Sequence, residues 1–223
     1  MHRVEATVGV GLIETMRSRE GRLPWLGRHL ARMRASVATL GLASPPEDIA
    51  DLARIAAGPG ERVVRLELCD GRLEVSTRDV LEQRPLAVAV SDESYRPYPH
   101  KTTQREQFGR SFANARRTDM DDALLVTPEG FVAEGTAWSV FWWDNGTLYT
   151  PTVELGILPG IGRRRIMELA GVQEARARVE ELEGRSMFLV NAVRGVVEIG
   201  RFQGEPVPRD PRTAELSASF WPD

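Results

Sequence analysis

Stretches with an apolar residue at every second position and stretches with apolar residues three or four apart are interleaved through this chain, without the strict strand-helix alternation of a doubly wound parallel sheet. That mixture predicts an α+β fold. In the first half, Gly9 to Met16 is expected to be a strand, and Gly21-Arg22-Leu23-Pro24 a turn. A helix from Arg28 to Leu40 follows, with Leu30, Met33, Val37 and Leu40 as its apolar stripe and Gly41 as its stop. A helix near Glu47–Ala57 precedes a hairpin, Arg62–Leu68 and Leu73–Val75 about Asp70-Gly71, and then a strand Leu86–Val90. Ser91–His100 carries two prolines and reads as a linker, which divides the chain into an N-terminal α/β domain (1–92), a linker (93–100) and a C-terminal domain (101–223). The second half is expected to hold a helix through Phe108, Phe112 and Ala115, strands at Ala123–Thr127, Ala137–Trp143 and Leu148–Thr150, a helix Arg163–Ala170, and strands Met187–Val190 and Val196–Ile199.

Composition narrows the function classes. With 29 basic and 32 acidic residues the net charge is −3, so nothing suggests a nucleic-acid partner, and a small ligand is expected. One cysteine, Cys69, excludes an internal disulfide and suits a reducing cytoplasm. The opening Met1-His2-Arg3-Val4-Glu5-Ala6 lacks the order of a signal peptide, and no run is long enough for a membrane span. No histidine, cysteine or carboxylate spacing suits a metal.

Against that background one residue stands apart. Lys101, in Tyr98-Pro99-His100-Lys101-Thr102-Thr103-Gln104-Arg105, is the single lysine of a chain that otherwise uses arginine for positive charge. The two are interchangeable on a solvated surface, but only lysine offers an amine that loses its proton and attacks a carbonyl.

Four segments together resemble the fold-type IV pyridoxal-phosphate enzymes, the class IV aminotransferase family. They are Ile13-Glu14-Thr15-Met16-Arg17 with Arg28-His29-Leu30-Ala31-Arg32; the Lys101 motif; Glu134-Gly135-Thr136; and Gly156-Ile157-Leu158-Pro159-Gly160-Ile161. The likeness runs from about Val8 to Gly200 and implies a two-domain fold with a shortened N-terminus, pyridoxal 5'-phosphate as cofactor, and a homodimer. It makes Lys101 the Schiff-base lysine, Glu134 the carboxylate opposite the pyridine nitrogen, and Arg32 a phosphate ligand. It also puts the backbone N–H groups of Ile161 and Gly162 at the phosphate, where a helix begins. Many relatives have threonine where Gly162 stands, so a hydroxyl contact is lost there.

Within that family three features resemble 4-amino-4-deoxychorismate lyase. Thr15 stands where branched-chain aminotransferases have glycine and is expected to relay a proton; Phe188 to Gly195 resembles a lyase Asn-Ser-x-Arg-Gly stretch; and the lysine motif lacks the tyrosine that branched-chain enzymes carry shortly after it. The expected substrate is a small amino compound bearing carboxylates, with Arg17, Arg105, Asn191 and Arg194 as candidate contacts. The alternatives are an aminotransferase for branched-chain or D-amino acids and a non-catalytic binding module of the same fold.

Overall fold

The computed structural model describes residues 9–222. The first six residues, the start of the likeness at Val8 and the shortened N-terminus lie outside the described residues. Two compact units divide the described residues: 9–81 with 100–104, and 82–99 with 105–222.

In the first unit an antiparallel sheet runs in the order β1 (Leu12–Ser18), β2 (Arg62–Cys69), β3 (Arg72–Arg78). Strand alternation sends Leu12 and Met16, with Val64, Leu66 and Leu68, to one face. That face packs on the apolar stripes of α1 (Leu26–Leu40) and α2 (Ile49–Ala57) through Leu30, Met33, Val37, Ile49 and Ala53. The opposite face carries Thr15 paired with Arg65, and Ile13 paired with Glu67. Gly41 ends α1 at φ 66, its N–H bonded to the Val37 carbonyl, as expected of a glycine helix stop.

The second unit is built on a nine-stranded mixed sheet. Its elements in chain order are β4 (Leu86–Ser94), α3 (Glu106–Arg117), β5 (Asp122–Val126), β6 (Val132–Gly135), β7 (Ser139–Asp144), β8 (Thr147–Pro151), α4 (Ile161–Leu169), β9 (Val172–Ala175), β10 (Ser186–Asn191), β11 (Gly195–Phe202), β12 (Glu205–Pro206) and α5 (Pro211–Ala218). The strand order is β6-β5-β4-β11-β10-β7-β8-β9, with β12 on β11. Leu124, Val140, Leu189 and Val197 lie at the centre of its core with Trp138 and Trp142. β4 and β5 are parallel, and α3 lies in the connection between them.

The fold is the mixed α+β arrangement expected from the sequence. The compact units differ from the 1–92, 93–100 and 101–223 division. β4 extends through Ser94 and pairs with β5 and β11, so it belongs to the larger sheet. Tyr95 and Tyr98 then anchor the rest of the supposed linker, both buried against Phe108. β6, β9, β12 and α5 were not expected from the sequence.

Candidate active site

In the first unit, residues 100–104 return to the edge of β1. The Lys101 carbonyl accepts from the Ile13 N–H at 2.8 Å, and the Thr103 N–H donates to the Gly11 carbonyl at 2.9 Å. The Gly11 N–H in turn donates to Thr103 Oγ1 at 2.9 Å. Gly11 suits this approach because a Cβ there would lie 2.9 Å from Thr103 Cγ2. Lys101 sits at the centre of a tight turn in which the Thr102 N–H donates to the His100 carbonyl at 2.9 Å. The lysine backbone is therefore fixed to β1, the strand that carries Thr15 and Arg17. Arg17 pairs with Glu61 at 2.5 Å.

On the helix side of β1 lies Glu14, 1% exposed. Arg32 grips it with two parallel bonds, Nε to Oε1 at 2.8 Å and Nη2 to Oε2 at 2.7 Å. His29 Nδ1 lies 2.5 Å from Glu14 Oε2. Burial pushes the Glu14 carboxyl up, but the Arg32 guanidinium and the His29 bond overcome it and hold the group at about 2. Burial pushes His29 below its usual value, so a neutral ring donating from Nδ1 fits the pair. The residues on α1 follow from its phase: His29 and Arg32, three apart, face the strand that supplies the carboxylate.

In the second unit, Glu134 lies one residue before the end of β6 and is 6% exposed. Its Oε1 accepts from the Tyr95 hydroxyl at 2.7 Å and from the Leu158 N–H at 3.3 Å. The turn after it, Gly135-Thr136, is organised by buried Asp122, which accepts from the Thr136 N–H (2.9 Å), the Thr136 hydroxyl (3.0 Å) and Trp138 Nε1 (3.0 Å). Burial pushes the Asp122 carboxyl up, and these donors offset only part of that rise.

Arg105 donates to the Thr136 carbonyl at 2.6 Å and lies over the Phe108 ring at 4.8 Å. Asn191 caps the β10–β11 turn, its Oδ1 accepting from the Val193 and Arg194 N–H groups at 2.9 and 2.8 Å. Arg194 lies over Trp138 and donates to the Glu82 carbonyl. Gly160, Ile161 and Gly162 open α4, whose start has no side-chain cap. A Cβ on Gly162 would meet Val190 Cγ1 at 2.6 Å and the Asn191 backbone carbon at 2.9 Å, which gives a steric reason for glycine here.

The expected residues thus fall into two sets. Thr15, Arg17, Arg32 and Lys101 belong to the first unit; Arg105, Glu134, Ile161, Gly162, Asn191 and Arg194 belong to the second. Sequence reasoning missed Glu14, Tyr95, Arg65 and Asp122 as partners of these groups. The i, i+3 pair His29 and Arg32 opposite a lone carboxylate on an apolar strand face was the signal for Glu14. Tyr95 lay in a stretch read as linker and gave none.

The amino-transferase class IV family matches residues 11–202. The chain belongs to that family. The family depends on pyridoxal phosphate. A Schizosaccharomyces pombe protein named "Putative aminodeoxychorismate lyase" is 28% identical over 195 residues, covering 79% of this chain and 84% of that one. A Thermotoga maritima "Probable branched-chain-amino-acid aminotransferase" is 38% identical over 122 residues, covering 48% of this chain and 44% of that one. Among solved structures, a hypothetical aminotransferase from Mycobacterium tuberculosis in its PLP-bound form superposes with a TM-score of 0.83 at 21% identity, covering 94% of this chain and 88% of that one. Among the described residues no helix is long and apolar enough to cross a membrane.

Proposed function

We propose that this class IV enzyme is a pyridoxal-phosphate lyase of the aminodeoxychorismate type, converting 4-amino-4-deoxychorismate to 4-aminobenzoate and pyruvate. The observation that carries the reading is the bond from the Ile13 N–H to the Lys101 carbonyl at 2.8 Å. It ties the lysine to the strand in which Thr15 follows two residues on, about 7 Å along the chain. Elimination needs a proton donor for the departing methylene, a need that amino-group exchange lacks, and Thr15 on this strand offers a hydroxyl for it. The greater coverage of the lyase-named relative also supports it.

The donor set fits the cofactor: the amine of the chain's single lysine, a guanidinium held rigidly by Glu14, a buried carboxyl at Glu134, and a helix start with no capping side chain. When bound, pyridoxal phosphate supplies an electron sink conjugated to the substrate's amino nitrogen. Lys101 would hold it covalently and take the proton from the ring carbon that bears the amino group. Glu134 would keep a negative charge opposite the pyridine nitrogen. Arg32 and the N–H groups of Ile161 and Gly162 would hold the phosphate. Thr15 would deliver a proton to the methylene of the departing enolpyruvyl group, so the proton removed from the ring is balanced by one supplied to pyruvate.

For the substrate carboxylates we assign Arg17 and Arg65, one on each of two neighbouring strands and on the same sheet face as Thr15. Arg105, Asn191 and Arg194 hold loops of the second unit and are the further candidates. A cytoplasmic homodimer completes the reading.

The test is a product assay without any keto acid. Equimolar 4-aminobenzoate and pyruvate are expected, and Thr15→Gly should lower that turnover about 10²-fold or more. Exchange of amino groups with 2-oxoglutarate and no pyruvate would make the chain an aminotransferase, the activity named for the Thermotoga maritima relative.

A further inference from the structure

Two acceptors compete for one proton at Tyr95. Its hydroxyl lies 2.7 Å from Glu134 Oε1 and 3.0 Å from the Gly156 carbonyl oxygen. A phenol has a single O–H to give. Tyr95 is 1% and Glu134 6% exposed, so bulk water does not fill a missing bond.

Two assignments satisfy the geometry. With Glu134 ionised, the phenol donates to Oε1, which also accepts from the Leu158 N–H. With Glu134 protonated on Oε1, the carboxyl donates to the phenol oxygen and the phenol passes its own proton to Gly156. In each charge state the contact between Tyr95 and Oε1 is kept as a hydrogen bond. Burial drives the phenol's own ionisation far out of reach, so it remains a donor throughout.

The phenol is held at both ends. The Tyr95 N–H donates to the Val126 carbonyl at 2.7 Å, and the Phe108 ring meets the Tyr95 ring edge-on at 6.5 Å. Gly156 is fixed as well: it sits at φ +74, a Cβ there would meet Pro97 at 2.7 Å, and its carbonyl takes the Tyr98 N–H at 2.8 Å.

We propose that Tyr95 is the positioning residue for Glu134, orienting the carboxyl through Oε1 and keeping it hydrogen-bonded whether charged or neutral, so that it can meet a protonated pyridine nitrogen. This deepens the cofactor reading above and rests on it. Tyr95→Phe is a mild probe, because Gly156 keeps the Tyr98 N–H and Glu134 keeps the Leu158 N–H.

The experiment titrates the cofactor-free full chain with pyridoxal phosphate and with an analogue whose pyridine nitrogen is replaced by carbon, following tryptophan fluorescence. Tyr95→Phe should weaken pyridoxal phosphate on the order of ten-fold and change the carbon analogue by less than about two-fold. Combined with Glu134→Gln, Tyr95→Phe should add little further loss, since both act on one group. Equal losses for the two ligands, or additive losses in the double variant, would overturn the role of Tyr95 and leave the cofactor reading standing. A wild-type chain that binds neither ligand would overturn the cofactor reading, and this role with it. If Tyr95→Phe does not fold, 3-fluorotyrosine at position 95 makes the phenol more acidic at nearly unchanged volume. It should change the ratio of the two affinities, and an unchanged ratio overturns the proposal.

Discussion

The phosphate role proposed for Arg32 requires a guanidinium of fixed orientation whose burial is compensated, and Glu14 supplies both conditions. The pair has a signature in acid. Glu14 sits at about 2 in the folded chain against 4.5 for an ordinary glutamate. Its folded value is depressed, so its contribution is complete above about 4.5 and is lost as pH falls from there through about 2. At 1.36 kcal/mol per unit the contribution is on the order of 3 kcal/mol. His29, also depressed, acts in the same direction, and its loss begins as pH falls below 6.5. Urea unfolding between pH 7 and 2.5 should therefore show a steep acid fall. Glu14→Gln should flatten it and cost about 3–5 kcal/mol at pH 7, because Arg32 would keep a buried charge with its carboxylate gone. A Glu14→Gln chain as stable as wild type at pH 7 would show that the pair contributes nothing net. Lys101 carries a separate residue-scale prediction. Borohydride reduction of the cofactor-loaded protein should fix a mass adduct on Lys101 alone, and Lys101→Arg should form none while losing turnover. Lys101 stands out in the sequence as a candidate because the chain uses arginine everywhere else. Glu14 was not, because its role requires strand alternation and helix phase to be combined in three dimensions.

At the scale of elements, α4 and α3 offer a matched pair of helical glycines. Alanine in a helix interior gains about 1 kcal/mol over glycine when nothing else changes. Gly109, in α3, has nothing within 4 Å of an added Cβ, so Gly109→Ala should raise stability by up to about 1 kcal/mol. Gly162 lies in the first turn of α4 against β10, where the Cβ would fall 2.9 Å from the backbone carbon of Asn191. Backbone in a paired strand moves at a cost, typically about 1–3 kcal/mol for such overpacking, which outweighs the gain. Gly162→Ala should therefore lower stability while Gly109→Ala does not, as read by thermal melts of both. Equal shifts would show that α4 yields at no cost. The same elements show what sequence could reveal. Long periodic runs such as α1 and β2 were legible. α5 was not assigned, although Asp210 accepts from the Arg212 N–H at its start and Pro211 takes the first helical position, a start signal carried by two residues with little apolar periodicity behind it. β6 is four residues long and fully buried, so it shows no alternation at all.

On the scale of the whole molecule, the chain leaves the second unit after Pro99, gives residues 100–104 to the first, and returns with Arg105. A linear division at residues 93–100 misses this, because composition marks a break in the chain but not which sheet receives the next five residues. The lysine thus rides on a short segment held by pairing with Gly11 and Ile13 and not by continuity with a neighbouring element. Thr103→Val tests that support with almost no change of shape. It removes the hydroxyl that accepts the Gly11 N–H and leaves a buried donor unsatisfied, at about 1–3 kcal/mol. If the segment is held as the bonds imply, hydrogen exchange should quicken at the Gly11 and Ile13 amides while Val64 and Leu66, in the centre of the sheet, keep their protection. On the proposed roles, turnover should fall as Lys101 loses a fixed backbone, and the affinity for inorganic phosphate proposed for Arg32 should hold, since Glu14 orients that guanidinium. Unchanged exchange at Gly11 and Ile13 would mean that the lysine segment draws its order from elsewhere in the chain.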